Sequence, residues 1–194
     1  LLSSLTCLRL LLWQGEMVPR PLQSLVVKEL AFSQTHASDP LQLAFANMSS
    51  LGPKCLAWIE NNTEALDGFM IVESHLLGAK LNKTRRQLGK LGLKTFCSPA
   101  IATGRGSEHC AGTSGGEVIA LSKKLVSSSP GLETHQGWRA AEVKFARHKL
   151  VLVVLYLLPG QGAEVEATNK QRLMSLYGFL RSLAVPWLVA ADWN

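Results

Sequence analysis

Cysteine is scarce in this chain, and the four present, Cys7, Cys55, Cys97 and Cys110, form no CxxC pair and no dense framework. That spacing excludes a disulfide scaffold, and the cysteines read as reduced and mostly packed. Charge is also sparse, at 18% of residues, while apolar residues make up 47%. A disordered segment needs the opposite balance, so 194 residues of this composition predict one compact domain with a sizeable core. No apolar run reaches membrane length: the opening LLSSLTCLRLLLW is too short and carries Arg9, and no small-residue cleavage site follows it. The glycines around Gly104 and Gly106 lack the third glycine of a dinucleotide fingerprint and the Gly-Lys-Ser/Thr ending of a phosphate loop. His75, His109 and Cys110 have no further His or Cys at zinc-ligand spacing. An intracellular setting, nucleus or cytoplasm, fits the cysteine usage.

What is present is a series of apolar strands ending in polar residues. Residues 1–40, punctuated by Pro19, Pro21 and Pro40, show no clear period and read as a leader or linker. Organisation begins at Leu41, where LQLAFAN suits a strand ending at Asn47, and Pro53 suits the first turn of a helix to about Asn61 with Cys55, Leu56 and Ile59 on one face. GFMIVESHL then reads as a strand closing on Glu73 and His75. A short basic helix is expected over 83–91, a strand over 93–98, a Gly-rich loop, and a strand at EVIALS. Residues 138–158 read as a hairpin turning at Arg147 to Lys149, whose second arm has no polar residue before Tyr156 and should be buried on both faces. From Thr168 to Leu183 the spacing of Leu173, Leu176, Tyr177, Leu180 and Ala184 predicts an amphipathic helix. Pro186 ends it, and WLVAA is a buried-strand run discharging into Asp192 and Asn194.

Asn47, Glu73, Tyr156, Asp192 and Asn194 therefore come from four strand ends, which an α/β fold gathers at one sheet edge. Each has an ordinary alternative as a strand-ending polar residue. Together they suit Mg²⁺-assisted phosphoester hydrolysis, because Mg²⁺ takes hard oxygen ligands from one or two carboxylates and keeps several waters. In that chemistry Glu73 is the carboxylate ligand, Asp192 orients or deprotonates the attacking water, Asn47 and Asn194 hold water and phosphate, and Tyr156 donates to a phosphate oxygen.

In chain order these residues resemble the endonuclease/exonuclease/phosphatase superfamily, which includes deoxyribonuclease-I-like enzymes, apurinic endonucleases and retroelement endonucleases. The resemblance covers about residues 41–194 and rests on Asn47 of a WN-type motif, Glu73 in MIVESHL, GTSGGEVIA around Gly115 and Gly116, Tyr156 in LVVLYLLPG, and AADWN with Asp192 and Asn194. It implies a four-layer α/β sandwich of mixed, largely antiparallel sheets with outer helices, of which this chain is the N-terminal two thirds. It implies a Mg²⁺-dependent phosphodiesterase, with Mn²⁺ as the alternative ion, acting as an endonuclease of a longer protein, with a retroelement protein as one such parent. Arg105 in the Gly-rich loop and Ser114 are further candidates for substrate contacts. The chain departs from the family pattern at Ser49, where many members have an acid, at Val72, where Gln usually precedes the Glu, and at Ala191, where Gly precedes the Asp. The family also uses a later Asp and a terminal SDH motif, which would lie in a covalently linked downstream segment. Two other readings stay open: an inactive remnant that at most binds nucleic acid, and a phosphatase of inositol or lipid phosphates.

The net charge of +6 favours an anionic partner, nucleic acid or a phosphorylated small molecule. Asn-x-Ser/Thr sequons begin at Asn47, Asn61 and Asn82, and a glycan on Asn47 would block the proposed site.

Overall fold

The computed structural model describes residues 9–12, 41–103, 112–130, 137–145 and 148–192. Among these, two sheets face each other. The first has strand order β1-β2-β3-β7-β4 and the second β11-β10-β9-β8. The first sheet is made by β1 (Arg9–Leu12), β2 (Gln42–Asn47), β3 (Gly68–Val72), β4 (Leu93–Ser98) and β7 (Glu117–Ser122). The second is made by β8 (Val126–Ser128), β9 (Trp138–Phe145), β10 (His148–Tyr156) and β11 (Trp187–Asp192). The pairings β1–β2, β2–β3 and β10–β11 are parallel, and β3–β7, β4–β7, β9–β10 and β8–β9 are antiparallel. A small antiparallel ribbon, β5 (Ile101–Ala102) with β6 (Thr113–Ser114), lies within the Gly-rich segment that the sequence reads as loop. The β1 strand falls inside the segment read as a leader or linker.

Side-chain alternation sorts the core into three layers of contact. Between the sheets, Leu43, Phe45, Met70, Val72, Ile119 and Leu121 of the first meet Ala141, Val143, Leu152, Val154 and Tyr156 of the second. The opposite faces of β2, β3 and β7, through Ala44, Phe69, Ile71 and Val118, pack under helix α1 (Pro53–Asn62) and helix α2 (Gly78–Lys90). Outside the second sheet, Ala140, Val151, Val153 and Leu155 pack under helix α3 (Ala163–Ser182). The result is the four-layer α/β sandwich with mixed sheets that the motifs imply. The parallel pairs β2–β3 and β10–β11 are each bridged by a helix, as parallel neighbours require.

Several expectations change in detail. Strand β10 is central and buried on both faces as expected, but it starts at His148, so His148 and Lys149 belong to the ladder rather than the turn. Strand β11 is an edge strand among the described residues, not a fully buried one, and Trp187 is exposed. Helix α2 begins at Gly78, before the expected start at Lys83, because the stripe Leu81, Thr84 and Leu88 continues N-terminally with no side-chain cap to mark the start. Helix α3 begins five residues earlier than Thr168, with Glu164 and Glu166 in its first turn, where the helix dipole favours acids. Its packed face is also rotated: Arg172, Leu176 and Phe179 are buried, while Leu173 and Tyr177 are exposed. Phe179 stacks on Trp138 with centroids 5.1 Å apart. No helix among the described residues is long and apolar enough to cross a membrane.

Candidate active site

Four of the strand-terminal residues meet at one end of the sandwich, as two hydrogen-bonded pairs that each cross from one sheet to the other. Asn47, last residue of β2, donates through Nδ2 to Asp192 Oδ2 at 2.5 Å, and Asp192 is the last residue of β11. Tyr156, last residue of β10, donates through its hydroxyl to Oε1 of Glu73, which directly follows β3. The parallel register sets Tyr156 beside Asp192, and Leu157 N donates to the Asp192 carbonyl. One acid and one neutral donor thus come from each sheet.

The backbone holds these groups firmly. The Asn47 amide is oriented at both ends, because its Oδ1 accepts from Ser49 N at 3.1 Å while its Nδ2 meets Asp192. Glu73 and His75 both have positive φ, 53° and 54°, a costly conformation for residues with a Cβ. The turn is pinned from two directions: Ser74 N and His75 N donate to the carbonyls of Gly116 and Gly115, each at 3.0 Å, and Leu51 N donates to the Ser74 carbonyl. Gly116, at φ 89°, has no room for a Cβ, which would sit 2.6 Å from Ser74 Oγ. The two glycines therefore let the next strand approach closely enough to hold Glu73 in its strained geometry.

The electrostatics follow from burial. Tyr156 is 1% exposed, and desolvation first, then its hydrogen bond to Glu73 and the charges of Glu73 and Asp192, push its hydroxyl far above the ordinary range. It stays a protonated donor. Behind it lie two ionisable residues that the sequence reading does not single out. Glu117 is 1% exposed, and burial pushes its carboxyl up to about 7, with Arg172 and the amides of Glu117 and Gly116 working the other way. Arg172 is buried on α3 and donates from Nη1 to the Tyr156 carbonyl at 2.7 Å. No sequence signal marks Arg172, because a charged residue hides the buried stripe it shares with Leu176 and Phe179. For Glu117 the signal was a charge leading an apolar strand.

The remaining site residues from the sequence are placed less fully. Ser114 sits half-buried in β6 opposite Ile101, and no hydrogen bond among the described residues joins its side chain to the four. His75 lies at the lip, with Nδ1 3.3 Å from Thr113 Oγ1. Asn194 and Arg105 lie outside the described residues.

The donor set, two carboxylates and amide and phenol oxygens, is hard and suits a divalent cation such as Mg²⁺. No three His, Cys, Asp or Glu side chains converge among the described residues. A cation here would take one or two carboxylates, with water and a substrate oxygen filling the rest, which is how Mg²⁺ usually binds.

Neither a family model nor a curated protein sequence matches the chain. Solved structures do. An AP endonuclease from Archaeoglobus fulgidus is 17% identical with a TM-score of 0.53, over 78% of this chain and 56% of that one. The 3′ phosphatase NExo from Neisseria, solved with a product DNA hairpin, is 16% identical with a TM-score of 0.53, over 79% and 58%. The human Nocturnin catalytic domain, with a bound sulfate anion, is 19% identical with a TM-score of 0.50, over 73% and 56%. The chain spans a little over half the length of each of these structures.

Proposed function

On a chain with the deoxyribonuclease-I-like fold of the endonuclease/exonuclease/phosphatase superfamily, we propose that the four paired strand ends form a phosphodiester-hydrolysing site whose substrate is nucleic acid. The observation that carries this reading is the pair of cross-sheet hydrogen bonds, which place two carboxylates and two neutral donors at one edge. Glu73 is the proposed ligand of the divalent cation, Mg²⁺ with Mn²⁺ as substitute. When bound, the cation supplies charge for the phosphoryl oxygens.

The chain's own residues do the rest. Asp192, aimed by Asn47, accepts a proton from a water whose oxygen attacks phosphorus; the P–O bond to the leaving nucleotide breaks, that oxygen takes a proton from solvent water, and Asp192 returns its own proton to solvent. Tyr156 fixes the rotamer of Glu73. Asn194 and Arg105 belong to this reading as phosphate contacts, and Ser114 as a lip residue. Nucleic acid is favoured over a small phosphate ester by the net positive charge. The DNA hairpin in the Neisseria structure supports the same choice. The reading includes a covalently linked downstream segment that completes the catalytic set, and an origin in a retroelement protein is its most specific form.

Plasmid nicking by the full-length protein carrying this sequence, with Mg²⁺ and with chelator, tests substrate and metal together. Chelator-sensitive nicking is expected. Intact plasmid alongside Mg²⁺-dependent phosphate release from inositol phosphates would replace nuclease by phosphatase, and inertness on both would leave a remnant of the fold. Ser49 and Ala191 are the two positions that favour that last reading.

A further inference from the structure

Beneath the Glu73–Tyr156 pair the sandwich buries an arginine and an acid that the proposed chemistry does not use. Arg172 is 6% exposed and Glu117 1% exposed. Burying such a charge is costly unless something is gained by it. Arg172 reaches inward past Gly137: a Cβ there would lie 2.4 Å from Arg172 Cδ and Nε, and Gly137 has φ 86°. The same Gly137 carbonyl accepts from Tyr156 N at 2.8 Å, and Arg172 Nη1 holds the Tyr156 carbonyl at 2.7 Å. Both backbone groups of Tyr156 are therefore fixed by one corner, where β10 leaves its ladder. On the other side, a Cβ on Gly115 would lie 3.7 Å from both Glu117 Oε1 and the Tyr156 ring, so acid and ring share one small space. Glu117 and Arg172 act on each other through their charges, and Arg172 acts on Tyr156.

We propose that Arg172 is the positioning residue that fixes Tyr156 against Glu73 and thereby sets the cation-binding carboxylate. Its catalytic consequence rests on the function proposed above; its structural content does not. Because Leu157 N donates to the Asp192 carbonyl, the same anchor also steadies the strand end bearing Asp192. Arg172 itself touches no substrate atom.

Mn²⁺ alone, followed by its electron spin resonance in the full-length protein carrying this sequence, should bind on the order of tenfold more weakly to Arg172→Met than to wild type. Arg172→Lys, which keeps a cation and a donor, should restore most of that affinity. Tyr156→Phe, which removes the hydroxyl held by Glu73, should weaken Mn²⁺ by a similar factor. The double variant should bind no more weakly than either single one, because both act through one bond. A folded Met variant that binds Mn²⁺ like wild type, or a double variant whose losses multiply, overturns the proposal. If the Met variant does not fold, Arg172→Lys is combined with Tyr156→Phe instead, and losses that multiply overturn it. Absence of hydrolysis by wild type with these affinities as expected would remove the proposed function and leave the positioning role standing.

Discussion

Asn47 and Asp192, 145 residues apart in sequence, meet at 2.5 Å across the two sheets of the sandwich. Because the Asn47 side chain is also held by Ser49 N, its donor is aimed before Asp192 arrives. The pair exists only if the sheets pack in their observed register, so the apolar layer between them sets the geometry of the polar edge.

Asn47→Ala removes a donor to a carboxylate, a bond worth about 1.5–3 kcal/mol. The chain should stay folded with a modest loss in urea midpoint, while hydrolysis by the full-length protein falls on the order of a hundredfold as Asp192 loses its aim. Parallel chemical denaturation and nicking rates check both halves.

Glu117 makes stability depend on pH in an unusual direction. Its carboxyl is raised from 4.5 to about 7 in the folded chain, so between these values the folded state holds a proton that the unfolded state has lost. The contribution is greatest below 4.5 and declines as pH rises to about 7, with a span of about 3 kcal/mol. Glu117→Gln, which mimics the neutral acid, should therefore gain stability relative to wild type on going from pH 5 to pH 8. Urea melts at the two pH values measure this.

Gly116→Ala should lose about 1–3 kcal/mol, because φ 89° disfavours any L side chain and the new methyl would strike Ser74 Oγ. Relief requires moving the turn that carries Glu73. The expected signature is a joint loss of stability and Mn²⁺ affinity, whereas loss of stability alone would detach the glycine from the site.

The packed face of α3 gives a contrast between neighbours. Phe179→Ala should cost about 3–5 kcal/mol, since the ring stacks on buried Trp138. Tyr177→Ala, two residues away on the exposed side, should change stability by about 0.5 kcal/mol or less. Thermal melts of the two variants decide which stripe faces the sheet.

These cases also show what was readable beforehand. The strand ends bearing Asn47, Glu73, Tyr156 and Asp192 were legible because an apolar run has to stop where the sheet meets solvent, and its last polar residue marks the place. Strand β10 was legible for the same reason, as an arm too apolar for any position but the centre. The phase of α3 was not, because Arg172 occupies its buried stripe and Tyr177 its exposed one, so the residue types point the wrong way. Strand β8, VSS, carries too few apolar residues to announce itself. Glu117 stood in view as the start of EVIALS, but a charge at a strand start is ordinarily solvated, and only the packing of Gly115, Tyr156 and α3 around it reveals its burial.

The most direct test of the site is plasmid nicking with Mg²⁺ by the full-length protein, wild type against Asp192→Asn. The substitution keeps size and a hydrogen-bonding oxygen for Asn47 but removes the proton acceptor. The account predicts a loss of about 10²–10⁴ in rate with the fold unchanged. Equal nicking by the two proteins would contradict it.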